Sequence, residues 1–420
     1  MFGNLQLKLI ETTILSFIST SVKMFAALVI NKAVAIYAGP GGIALIGQMQ
    51  NVMQVVNTFA QGGVNSGVTK YTAEYRNQPI KLLGIWSCSL RIAVTCSLVI
   101  GLILIFISNN LSFLILRDHK YAYVFVTLGF TVFLFTLNQL LISVLNGLKE
   151  IKTLTIISII QSIYALIFTT ILVIYFGLEG ALIGLVTNQS VVFFVALYKL
   201  KNHTLIRLGK FCGRWDRGSF LKLLSYSGMA ITTALVTPGA YLFVRNYIGS
   251  TISWQDAGYW QSMVYISAMY TMVISTALNT YYLPKLSELS DKNLLRSELK
   301  NGYRIIVPVV IVLSLAVYFL RGLIVDVLFT SDFEQVKYLF KWQLIGDVLK
   351  VSGFLMSYLM LAKAMTTQYV ISEVFFCALF AILAQLFVQE FGVVGVTYAY
   401  AINNVCYLIA MIFITKKIWS

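Results

Sequence analysis

Long runs without a single charged side chain recur along this sequence, and they decide what it can fold into. Residues 92–116, 121–148, 153–178, 223–244, 257–284 and 391–415 contain no Asp, Glu, Lys or Arg. A helix rising 1.5 Å per residue crosses a hydrocarbon layer about 30 Å thick with roughly 20 residues, so each run reads as a membrane span. The uncharged stretch 33–69 holds the turn YAGPGG and then a second span, and runs 180–198 and 305–320 are nearly long enough. Segments 10–37, 339–362 and 369–389 are equally apolar with isolated charges. The expectation is twelve spans: 10–37, 43–66, 83–107, 121–146, 153–176, 180–199, 223–248, 257–282, 304–325, 339–362, 369–389 and 394–415. The fold class is therefore an all-α polytopic membrane protein. Only 11% of residues are charged, against roughly 25% in soluble domains, which excludes a soluble globule. The first segment, MFGNLQLKLIETTILSF, lacks an A-x-A-like cleavage site and runs straight into apolar sequence, so it reads as the first span and not as a removed leader.

The net charge of +15 sets the expected orientation. With the N-terminus inside, the cytoplasmic segments hold Lys8; Lys70, Arg76, Lys81; Lys149, Lys152; Lys199, Lys201, Arg207, Lys210, Arg214, Arg217, Lys222; Lys285, Lys292, Arg296, Lys300, Arg304; Lys363; Lys416 and Lys417, which is 21 of the 31 basic residues. The other side holds Arg117, Lys120, Arg321 and Lys337. That asymmetry places both termini on the cytoplasmic side. Nucleic-acid binders gather their charge into one patch; here it is dispersed into short connections, so no nucleic-acid partner is expected.

The basic segment 201–222 falls midway and reads as a cytoplasmic linker between six-helix lobes 1–200 and 223–420. Aromatic-Gly turns support the division: YAGPGG (Gly39, Gly42), FGLEG (Gly177, Gly180) and FGVVG (Gly392, Gly395). Gly177 and Gly392 are 215 residues apart, and the same offset carries Lys70 in VTKYTAEY onto Lys285 in LPKLSEL. Six spans return the chain to the side it started from, so the lobes are expected to be parallel repeats about a pseudo-twofold along the membrane normal, flanking a central cavity.

Covalent chemistry is poorly provided for. GxxxxGK[ST], HExxH and GxSxG are absent, and no exoplasmic loop exceeds about a dozen residues. Five cysteines without a CxxC, and only His119 and His203, suggest neither a disulfide framework nor a metal site, and no cofactor is expected.

The informative residues lie inside the spans. Gln50, Gln54, Asn57, Gln61 and Asn65 recur at intervals of 4, 3, 4 and 4, one stripe of a helix. Such a stripe lines a wet cavity or glues helices together; its length along a whole span favours the cavity wall. Lys23 lies deep in the first span, whereas Lys32, Arg91, Arg245 and Lys341 are nearer an end and could snorkel. Asp347 and Lys350, three apart, are placed to pair, either as a neutralised buried couple or for ion coupling. Glu373 is an interfacial acid or a second coupling residue. Cations outnumber acids in this deep set, which suits an anionic substrate such as a phosphate or pyrophosphate.

GVTKYTAEY (67–75), YYLPKLSEL (281–289) and WQLIGDVLKV (342–351), with the twelve-span plan, resemble the Wzx-type flippases of the multidrug/oligosaccharidyl-lipid/polysaccharide exporter superfamily, the O-antigen translocases and lipid III flippases, over essentially the whole chain. The resemblance implies transport, not catalysis: an undecaprenyl-diphosphate-linked oligosaccharide flipped between leaflets by alternating access. Lys23, Lys32 and Arg245 look most similar to the essential cavity cations of that superfamily, with Arg91, Gln54, Asn57 and Gln61 as further substrate contacts. Asp347, Lys350 and Glu373 are the candidates for ion coupling. Membrane lipids, and the polymerase and chain-length regulator of the same pathway, are the implied partners. A drug or metabolite antiporter on the same architecture is the alternative, although cationic cargo would want an acidic cavity. A glycan polymerase or ligase is disfavoured by the missing large loop.

Overall fold

A computed structural model describes residues 2–200, 216–278, 282–289, 291–363 and 365–419. Most of the basic linker, 201–215 with Cys212, lies outside the described residues. Fourteen α-helices account for most of the described chain: α1 (Phe2–Ala60), α2 (Asn65–Glu74), α3 (Pro79–Phe106), α4 (Ser108–Leu111), α5 (Ala122–Leu148), α6 (Ile151–Leu200), α7 (Arg217–Thr251), α8 (Trp254–Ala277), α9 (Leu283–Glu288), α10 (Lys292–Phe319), α11 (Arg321–Leu328), α12 (Phe340–Ala362), α13 (Thr366–Phe391) and α14 (Val393–Trp419). Among the described residues there is no strand.

Among the described residues, eight helical segments are long and apolar enough to cross a membrane. Two of them, Phe17–Ala60 and Ile151–Leu200, run 44 and 50 residues, each enough for two passes. The backbone leaves the helix at Gly39 in α1 (φ 64°, ψ −173°) and at Gly177 in α6 (φ 55°, ψ −129°), so each is two arms joined by a hairpin. The helices α7 and α8, 35 and 24 residues long, cover the two other expected spans, and both carry polar side chains, Arg217, Lys222 and Arg245 in α7 and Gln255, Asp256 and Gln261 in α8.

The chain divides into two compact units, one of Met1–Tyr37 with Gln48–Leu235, the other of Ala38–Gly47 with Val236–Ser420. The first unit has a core around Val68, Trp86, Val144 and Leu145, in which the Trp86 indole donates to the Thr72 hydroxyl at 3.0 Å. It also holds the start of α7, capped by Asp216, whose carboxylate accepts from the hydroxyl and N–H of Ser219 and the N–H of Gly218. Those bonds, the Ser219 hydroxyl first, hold the Asp216 carboxyl below the usual range. The second unit has two cores, one around Leu299, Leu355 and Met411 and one around Val244, Trp260 and Phe380. Large side chains such as Phe106, Phe319 and Phe413 face outward on the spanning helices, as a lipid solvent requires.

The turns at the 215-residue offset share one backbone design. Gly177 and Gly392 both take positive φ, 55° and 61°. Three residues later, a Cβ on Gly180 would stand 2.0 Å from the Leu172 carbonyl oxygen, and one on Gly395 would stand 2.0 Å from that of Phe387. Only glycine lets each hairpin close so tightly. Gly180→Ala and Gly395→Ala must therefore force the arms apart, and each is expected to lower the stability of the detergent-purified protein by roughly 1–3 kcal/mol. Gly41→Ala, with nothing within 4 Å of its Cβ, is the control and should leave thermal unfolding unchanged. Indistinguishable unfolding of all three would contradict the closed hairpins.

Candidate functional site

The second unit buries a carboxylate, Asp347, at 1% exposure. It stands on α12 directly after Gly346, and that order matters. A Cβ on Gly346 would lie 2.4 Å from Cδ1 of Tyr400, so the missing side chain is what lets α14 come close enough to present Tyr400. Gly353, two turns further on, gives Tyr407 the same room. The Asp347 oxygens then meet donors from three helices. Ser267 Oγ and Tyr270 Oη of α8 both donate to Oδ2 at 2.6 Å. Tyr400 Oη of α14 donates to Oδ1 at 2.9 Å, and Gln343 Nε2, one turn back on α12, reaches it at 3.5 Å. A carboxylate has about four lone-pair sites, and these four neutral donors fill them.

Lys350 does not join them, which corrects the expected Asp347–Lys350 ion pair. No ion pair within 4 Å forms between the two; the Lys350 ammonium lies over the rings of Phe354 (5.6 Å) and Tyr400 (5.7 Å). Spacing by three permits a pair, but here hydroxyls have already taken the carboxylate. Lys350 still acts electrostatically on Asp347 and on Glu373, which is half-buried on α13.

Arg245 of α7 is also 1% exposed and therefore does not snorkel. Its guanidinium lies 5.6 Å from the centroid of Trp260 and donates to Gln261 Oε1, both on α8. Trp260 stacks on Tyr241 at 5.5 Å and packs against Phe380, which meets Tyr400 edge-on at 6.1 Å. One aromatic-lined polar cluster in this unit thus joins Arg245 to Asp347 and Lys350.

The remaining candidates belong to the first unit. Lys23 is exposed on the first arm of α1 and Lys32, further along that arm, is half-buried. Arg91 is exposed on α3. On the second arm of α1, Gln54 is exposed and Asn57 half-buried. The amide stripe is interrupted: α1 ends at Ala60, and Gln61 and Asn65 flank a turn with positive φ at Gly62 and Gly63. Asn65 Nδ2 donates to Gln61 Oε1 across that turn. The amides keep their spacing but not one continuous helix, because adjacent glycines end it.

Ser267, Tyr270, Gln343, Tyr400, Trp260 and Gln261 were not singled out by the sequence. The readable signals were the Gln343–Asp347 spacing of one turn and the density of hydroxyls along α8; nothing local pointed to Tyr400, 53 residues from its partner. Among the described residues, no group of three or more His, Cys, Asp or Glu is placed to hold a metal.

A family model described as "Polysaccharide biosynthesis protein" matches residues 41–338. The lipid III flippase of Escherichia coli (strain K12) is 28% identical over 389 residues, covering 93% of this chain and 94% of that protein. Among solved structures, an inward-facing multidrug resistance MATE family transporter of the MOP superfamily aligns with a TM-score of 0.76 at 15% identity, covering 94% of both chains. The lipid II flippase MurJ in an inward closed conformation aligns with a TM-score of 0.74 at 16% identity, covering 97% of this chain and 87% of that one. At such identities these two likenesses show a shared fold.

The hydroxyl shell around Asp347 has a direct consequence for stability. Tyr400→Phe removes one donor to a buried carboxylate and is expected to cost about 1–3 kcal/mol in thermal unfolding. Tyr398→Phe, which keeps its ring contacts with Trp342 and Phe391, should change little. Equal unfolding midpoints for the two variants would contradict the Tyr400–Asp347 bond.

Proposed function

The chain belongs to the polysaccharide biosynthesis protein family, and from that premise we propose that it is a lipid-linked oligosaccharide flippase. Its relative named a lipid III flippase matches nearly end to end, so the reading is of transport and not of bond-making. The cargo we assign is an undecaprenyl-diphosphate-linked oligosaccharide. It moves from the cytoplasmic to the periplasmic leaflet of the inner membrane, through alternating access of two six-helix lobes around a central cavity.

The observation that carries the cargo class is the excess of cations within the spans, with Arg245 fixed by Trp260 and Gln261 as the clearest case. A guanidinium stays charged at any physiological pH and presents a fork of donors to phosphate oxygens. Lys23 supplies a second positive centre on α1, too far from either end of its span for its stem to reach a surface. Gln54, Asn57 and Gln61 offer the amides a glycan's hydroxyls can bond. Coupling to a proton or sodium gradient is assigned to Asp347, with Lys350 and Glu373 beside it, because a change of charge at Asp347 bears on α8, α12 and α14 together.

One assay covers these roles: flipping of a diphosphate-linked glycolipid in reconstituted vesicles, with and without an ion gradient. Lys23→Ala is expected to abolish flipping with the protein still inserted, and Lys23→Arg to retain part of it. Asp347→Asn is expected to make the rate indifferent to the gradient. Wild-type flipping by Lys23→Ala would remove Lys23 from the mechanism, and wild-type gradient dependence of Asp347→Asn would place coupling elsewhere.

A further inference from the structure

Two hollows adjoin on the second unit, and the apolar one reaches Ser314, whose hydroxyl lies 3.4 Å from that of Tyr270. One, of about 440 Å³, is polar and lined by Arg321, Lys337, Lys341 and Glu334, with the rings of Tyr318 and Tyr338. The other, of about 430 Å³, is an apolar groove lined by Ile311 and Leu315 of α10 and by Leu344, Ile345, Val348 and Leu349 of α12. Tyr318 and Lys341 line both, so the hollows share a wall. The α10 positions 311, 315 and 318, and the α12 positions 341, 345 and 348, are spaced by three and four, one face of each helix.

We propose that these adjoining hollows together hold one anionic phospholipid of the surrounding bilayer, its phosphate in the polar hollow and an acyl chain in the groove. From Lys341 to Leu349 the groove follows about 12 Å of helix, close to the roughly 15 Å depth of one hydrocarbon leaflet. The depth of the polar end also fits a headgroup: α11, next to it, exposes Leu323 and Val327 beside Arg321, with Leu320 exposed just before it, the mixture found where a helix lies at the bilayer boundary.

Charge selects the lipid class. Lys337 is taken by two carboxylates, Asp326 at 3.3 Å and Glu334 at 2.9 Å. Arg321 and Lys341 are not: Arg321 donates to the Tyr318 carbonyl oxygen at 3.0 Å and lies 4.3 Å from the centre of that ring, and Lys341 lies over Trp342 at 5.7 Å. Neither makes an ion pair among the described residues. Two cations at the mouth of a chain-lined groove favour a net negative headgroup over a zwitterionic one. The site stands on the chain being membrane-spanning and does not depend on which cargo is flipped.

Native mass spectrometry of the full-length protein tests this, with titrations of phosphatidylglycerol and of phosphatidylcholine carrying the same acyl chains. Phosphatidylglycerol is expected to be retained in preference. Arg321→Gln with Lys341→Gln should weaken that retention on the order of tenfold, while Lys120→Gln, an exposed cation elsewhere, leaves it unchanged. Leu315→Trp, which fills the groove, should also weaken it, and Lys341→Arg should keep it; unchanged thermal unfolding separates these effects from misfolding. Equal retention of the two lipids, or full retention by the double variant, would overturn the proposal. Displacement of phosphatidylglycerol by equimolar undecaprenyl phosphate would overturn the assigned occupant.

Discussion

A carboxylate buried among membrane helices must be answered by donors, and at Asp347 they come from three helices at once. Leaving such a charge unanswered costs several kcal/mol. The hydroxyls of Ser267 and Tyr270, the amide of Gln343 and the hydroxyl of Tyr400 therefore fix α8, α12 and α14 in register. The closeness of α14 depends in turn on Gly346, where any side chain would collide with the Tyr400 ring. The backbone choice at one residue thus sets the electrostatics of the next.

Answering Asp347 with neutral donors has a second effect. A cation bonded to the carboxylate would cancel it, whereas Lys350 rests on the faces of Phe354 and Tyr400 and keeps its charge apart. Arg245 is treated alike, held on Trp260 and by a neutral amide. Lys350 and Arg245 are thus both held against aromatic rings within the second unit. The proposed anionic glycolipid cargo is read from the excess of such cations within the spans.

Much of this architecture was legible in the sequence because membrane insertion writes it in simple terms. Runs without charge gave the helices, and glycines after an aromatic residue marked the breaks inside α1 and α6, where the helical backbone fails at Gly39 and Gly177. The 215-residue offset matched Gly180 with Gly395 down to the carbonyl each leaves room for. What spacing along one helix could not give was which neighbour a side chain would choose. Asp347 and Lys350 could pair by position, yet the partners came from α8 and α14. Arg245 could have reached a surface from one turn away, yet α8 offered Trp260 and Gln261 in the interior. The amide stripe kept its period past the end of its helix, because period alone does not register two adjacent glycines with positive φ.

The central claim is that the cargo is recognised through its diphosphate. The most direct measurement places wild-type protein in vesicles loaded with an undecaprenyl-diphosphate-linked oligosaccharide, or with the same sugar on a neutral polyprenyl lipid, and follows exposure of the sugar to an impermeant glycosidase. The diphosphate-linked lipid is expected to cross well above the rate of protein-free vesicles, and the neutral one to stay at that background. Equal crossing of both, or crossing of neither, would contradict the claim.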